Sequence, residues 1–228
     1  MTGMQTQKIN YQKKLEETIA KEQREGNVPT LLLHSCCAPC SSYVLEYLSE
    51  YFNITVLYYN PNISPAKEYA ARAAEQERLI LELPAKYPVS FLAGEYQPER
   101  FYSAVKGLEH CPEGGDRCTI CFEMRLREAA EAARRGGFDY FTTTLSISPL
   151  KDAERLNSIG KVLSEEYGVP YLYSDFKKKN GYKRSTELSA QYGLYRQDYC
   201  GCVFSREEQE KRRGKQRTEE AVVKENKF

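Results

Sequence analysis

The 228-residue chain contains no tryptophan, no apolar run of membrane-spanning length and almost no net charge, with 33 basic residues against 32 acidic ones. A bilayer-crossing helix needs about 20 apolar residues, and none is available. Residues 1–24 are polar and charged, without the apolar centre of a secretory signal. The expected location is therefore cytoplasmic, with no membrane partner. A net charge of +1 rules out a global basic surface, so any contact with nucleic acid must come from local patches. Without tryptophan, the 18 tyrosines are left as the side chains for stacking on bases. No internal repeat is present, and a chain of this length can bury a core without disulfide staples.

A further absence is local. Leu31-Leu32-Leu33 after Pro29 and Thr30 reads as a short buried strand, and a helical pattern follows from Ser41 to Tyr51. In nucleotide-binding proteins of this layout the linking turn is rich in glycine, so that backbone N–H groups can approach phosphate. Here His34-Ser35-Cys36-Cys37-Ala38-Pro39-Cys40 has no glycine and three cysteines. That donor set suits a soft metal or cluster better than a phosphate.

Further strands are expected at Ile54–Tyr59, Val89–Leu92, Tyr140–Leu145 and Pro170–Tyr173. Helices are expected at 10–24, from Ser64-Pro65 to about Leu83, at 98–106, from Cys118 to Gly136, at 151–167 and at 185–192. Strands alternating with helices of this length imply an α/β fold, a mainly parallel sheet with helices on both faces. Ligands bind such sheets at the carboxyl ends of the strands. The turns at 36–40, 60–64, 146–149 and 174–177 should then share one rim. The expected organisation is a helical extension (1–28), one α/β catalytic domain with a metal site (29–205) and a charged helical or disordered tail (206–228).

Eight cysteines in a reducing compartment point to metal binding or redox chemistry. They form three groups: Cys36, Cys37 and Cys40; Cys118 and Cys121, with Cys111 nearby; and Cys200 with Cys202. The first two groups fit zinc or an iron–sulfur cluster. Cys200-Gly201-Cys202 reads either as a labile redox pair or as two more metal ligands. Cys40 and Cys111 are each either ligands of a second metal or buried as small apolar residues. His34 and His110 default to hydrogen-bonded packing residues. Lys177, Lys178, Lys179, Lys183 and Arg184 form a dense basic segment, either a solvated loop or a contact for RNA phosphates.

Several of these segments, taken in order, resemble one family. Cys36-Cys37-Ala38-Pro39, Tyr59-Asn60-Pro61-Asn62-Ile63, Cys118-x-x-Cys121, Thr142-Thr143-Thr144-Leu145 with Ser148-Pro149, Asp175-Phe176-Lys177-Lys178 and Leu194-Tyr195-Arg196-Gln197-x-Tyr199-Cys200-Gly201-Cys202 are similar to the QueH family of epoxyqueuosine reductases. The resemblance covers roughly residues 30–205. It implies a HUP-like, PP-loop-related (Rossmann-like) fold with a cysteine-containing C-terminal helical region. It also implies an oxidoreductase that deoxygenates epoxyqueuosine to queuosine at the tRNA wobble position, the last step of queuosine biosynthesis. Through it, Cys36, Cys37, Cys118 and Cys121 become ligands of a [4Fe-4S] cluster, Cys200 and Cys202 a redox-active disulfide pair, and Cys40 a candidate for an additional iron. An electron donor, unidentified by the sequence, is a further implied partner. Two rival readings are a PP-loop ATP pyrophosphatase such as a tRNA thiolase, which lacks its phosphate loop here, and a zinc-stabilised RNA-binding module.

Overall fold

The computed structural model describes residues 9–225; residues 1–8 of the expected extension and 226–228 of the expected tail lie outside it. Four parallel strands form one sheet in the order β3-β2-β1-β4: β1 (Thr30–His34), β2 (Asn53–Tyr58), β3 (Val89–Ala93) and β4 (Tyr140–Thr143). The run of three leucines is explained by burial on both faces. Leu31 and Leu33 pack with Ile54 and Val56 under α1 (Tyr11–Arg24), α2 (Ala38–Leu48) and α3 (Ala66–Glu82). Leu32 points the other way, joining Leu57 and Phe141 under α5 (Asp116–Gly136) and α6 (Ala153–Tyr167). His34 is in register with Leu57 of β2 and Thr143 of β4, so three strands end at one level.

The segments leaving those strand ends build the rim. Pro39 falls in the first turn of α2, where its missing N–H costs nothing. The helix therefore begins three residues before the expected Ser41 and takes Cys40 into its first turn. After β4 the chain tightens into a 3-10 turn at Thr144–Ile147, and Asp152 caps α6 by accepting the Glu154 N–H at 2.9 Å.

The expected fifth strand does not form. Residues 170–173 contribute a single parallel bridge, Phe141 to Tyr171. Beyond it, side-chain hydrogen bonds take over the backbone: Asn157 Oδ1 accepts the Ser174 N–H at 3.0 Å, and its Nδ2 donates to the Ser174 carbonyl at 2.8 Å. The Tyr171 ring also fits against Gly160 of α6, where an added Cβ would lie 2.5 Å from ring carbons.

The remaining helices are α4 (Pro98–Ala104), α7 (Gly181–Gln191) and α8 (Val203–Glu225). The boundary expected at residue 206 thus falls inside one helix. Among the described residues no helix is long and apolar enough to cross a membrane.

Candidate metal and redox site

The turn after β1 is fixed by polar groups that are themselves buried. Ser35 and Ser41 both donate to Gln76 Oε1 at 2.7 Å, and Asn60 Nδ2 donates to the Ser35 carbonyl at 2.8 Å. His34, fully buried, bridges the Thr143 hydroxyl at 2.9 Å and the Tyr59 carbonyl at 3.1 Å. Burial, helped by the Arg125 charge, lowers its pKa to about 4, so it is a neutral packing group.

On this platform the Cys36, Cys37 and Cys40 sulfurs lie within 4.8 Å of one another, with Cys36 and Cys37 3.8 Å apart. Cys37 is the N-cap residue of α2, so all three thiols stand at a helix N-terminus, where negative charge is favoured. Hydrogen bonds from Cys37 and Cys40 hold the Cys36 thiol far below the ordinary range. The same sharing pushes Cys37 up, and Cys40 up to about 12. Three soft donors in this arrangement can hold a thiophilic metal.

The other cysteines come from two further segments. Cys118 packs against the apolar cluster that contains Cys36 and Cys37, and accepts the Gly114 N–H at 3.3 Å. Cys121, one turn on, packs with Cys202, Phe101 and Val105, and burial raises its thiol to about 12. The tight group is thus Cys36, Cys37 and Cys40, whereas the expected ligand set pairs the first two with Cys118 and Cys121. Cys200 lines a cavity of about 420 Å³ together with Cys36, Cys37 and Cys40, while its neighbour Cys202 turns away and caps α8 through the Ser205 N–H at 3.4 Å.

Basic groups surround these thiols. Arg72 donates to the Cys200 carbonyl at 3.3 Å and pairs with Glu68 at 2.7 Å. Lys151 is on the cavity wall; burial opposes its charge, but Cys200, Cys36 and Cys40 outweigh that and raise its pKa. Arg125, on α5, donates to the Cys121 carbonyl at 3.1 Å; burial opposes its charge, and Cys121, Cys200, Cys36 and Cys118 favour it. Neither Lys151 nor Arg125 has a carboxylate within ion-pair distance among the described residues. Two such cations fit an anionic metal–sulfur centre better than a neutral set of thiols.

Comparison with known proteins shows the family of the chain. The family model described as epoxyqueuosine reductase QueH matches residues 31–208. A protein of Staphylococcus epidermidis named epoxyqueuosine reductase QueH is 47% identical over 209 residues, covering 90% of this chain and 88% of its own. Its namesakes in Streptococcus pyogenes (45% identical, 87% and 79% covered) and Thermotoga maritima (37%, 77% and 90%) are similar over comparable spans. The chain belongs to the QueH family of epoxyqueuosine reductases.

To the QueH resemblance carried by the sequence, the structure adds residues that sequence reasoning missed. Arg72, Arg125 and Lys151 are not among the expected site residues, although Arg125 interrupts the buried stripe of Cys121, Phe122, Leu126 and Ala129 on α5, which is a legible anomaly. Gln209 and Arg212 of α8 also wall the cavity. The five basic candidates are dispersed in role. Lys177 pairs with Asp175 at 2.6 Å, Lys179 with Glu16, and Arg184 with Glu46 at 2.6 Å. Lys178 and Lys183 remain exposed without an ion pair among the described residues.

Proposed function

We propose that this protein reduces the epoxide of epoxyqueuosine in tRNA to the alkene of queuosine, using an iron–sulfur centre and a dithiol at the carboxyl edge of its sheet. The observation that carries the chemistry is the cavity, where thiols from the β1–α2 turn and from the segment before α8 meet beside Lys151, which has no carboxylate within ion-pair distance among the described residues. The names of its QueH relatives supply the substrate.

The chemistry of the donor set, soft thiols from two segments, supports the implied group. Cys36, Cys37, Cys118 and Cys121 would hold a [4Fe-4S] cluster, and Cys40, beside the first two, would serve an additional iron. Bound there, the metal centre supplies single electrons and a Lewis-acidic position. Removing the oxygen takes two electrons and two protons and releases it as water. Oxidation of Cys200 and Cys202 to a disulfide yields two electrons and two protons, so one dithiol balances one epoxide. An external donor must then reduce the disulfide. Lys151 on the cavity wall holds positive charge where the departing oxygen becomes negative. Tyr182 and Arg196, the latter's guanidinium 5.8 Å from the tyrosine ring, offer a stacking surface at the same cavity for a base presented from an anticodon loop.

The test is direct. Protein purified without oxygen is assayed for iron, acid-labile sulfide and zinc, then incubated with a chemical reductant and tRNA carrying epoxyqueuosine. Mass spectrometry of the digested nucleosides should show loss of one oxygen from the modified base. Intact epoxyqueuosine after incubation with cluster-bearing protein would overturn the reaction, and zinc without sulfide would overturn the centre.

A further inference from the structure

Among the described residues three arginines are almost completely buried: Arg72, Arg117 and Arg125. Two of them have carboxylate partners, Glu68 for Arg72 and Glu208 for Arg117. Arg125 has none. Its Nε donates to the Cys121 carbonyl at 3.1 Å, its guanidinium lies 5.7 Å from the Phe122 ring centre, and its Nη2 has no hydrogen-bond partner. A guanidinium does not deprotonate in a protein, so it cannot escape burial by becoming neutral. Left alone, such a charge is strongly destabilising. Burial opposes its charge, and the sulfurs of Cys121, Cys200, Cys36 and Cys118 favour it when they are ionised, as metal-bound thiolates are.

We infer that Arg125 is a positioning residue that sets the reduction potential of the metal–sulfur centre, by placing a permanent charge and a free Nη2–H donor beside it. This rests on the cluster reading given above. Its backbone bond to Cys121 fixes the guanidinium on the same helical turn as an expected ligand, so charge and ligand keep one geometry. Adding an electron makes the centre more negative, and a fixed cation nearby stabilises that state more than the oxidised one. Arginine also makes the contribution independent of pH, which neither lysine nor histidine would guarantee in a buried position.

The experiment is a spectroscopic redox titration of the full chain with its cluster bound, after iron and sulfide have been measured on the same sample. Arg125→Gln should keep its iron and sulfide and become harder to reduce, with the reduction equilibrium shifted about tenfold, or roughly 59 mV for one electron. Arg125→Lys should return most of the shift near neutral pH. An unchanged potential in Arg125→Gln with the cluster intact overturns the inference while leaving the proposed function standing. If Arg125→Gln cannot hold the cluster, Arg125→Lys decides. A wild-type potential there supports the role of the charge. Loss of cluster from a folded Arg125→Lys variant makes Arg125 a packing residue and overturns it. Wild-type protein without iron or sulfide removes the cluster reading, and this inference with it.

Discussion

Cys36, Cys37 and Cys40 sit at the end of the central strand, on a turn held by Ser35, Ser41, Gln76 and Asn60, with a leucine core beneath. Cys200 and Cys202 sit instead on a short segment between α7 and α8, joined by a glycine at φ +121°. Both groups reach one cavity, but the first stands directly on a strand end, while the second is held from α3 and the loop before it. Arg72 donates to the Cys200 carbonyl, and the Ser64 N–H donates to the Gly201 carbonyl at 3.0 Å. Holding a metal centre needs donors that do not move. A dithiol that opens and closes needs a backbone that can. The same element, sulfur, is thus given two mechanical settings, which match the two tasks proposed for it.

The sharpest break of this contrast is Cys36→Ser. It removes the thiol to which Cys37 and Cys40 both donate, so iron content should fall below about a tenth of wild type and reduction should cease. Next is Cys200→Ser, which should keep its iron and lose multiple turnover; iron loss would make the pair ligands and erase the distinction. Leu32→Ala, beneath the rigid turn, should lower stability by about 2–5 kcal/mol in denaturant titration. Cys200 alkylation in the native state should be unaffected, since Leu32 belongs to the core under α5 and α6. Gly201→Ala should cost about 1–3 kcal/mol. Its Cβ would meet Ile63 at 3.0 Å and Arg72 Nη1 at 3.1 Å, and faster alkylation of Cys200 would report the loosened segment. The smallest effect concerns the basic segment. Lys178→Ala with Lys183→Ala should reduce the salt slope of tRNA binding by about 2 if both touch phosphates. An unchanged slope would leave recognition to Arg196 and Arg212 at the cavity.

The alternation of strands and helices was legible because the periodicities are strong: a leucine triplet for a strand buried on both faces, an alanine-rich stripe for α5. The shared rim followed from parallel topology, since parallel strands bring their carboxyl ends to one edge. The fifth strand was misread because Tyr171 and Leu172 have strand composition, while the decision belonged to Asn157, 17 residues away from Ser174 in sequence. Cys40 was ambiguous for a related reason. Its place depended on where α2 begins, and Pro39 moved that start into the cysteine turn. The cations Arg72, Arg125 and Lys151 were hidden because a charged residue in a helix or loop looks solvated until its neighbours are known.

The far wall of the cavity has a history as well as a shape. Cys36, Cys37 and Cys40 are translated long before Arg196, Cys200, Gln209 and Arg212, and α8 is locked down by Glu208 on Arg117. The side of the thiol shelf that α8 closes is therefore built from the last part of the sequence, so the wall that completes the cavity hangs on one ion pair near the end of the chain.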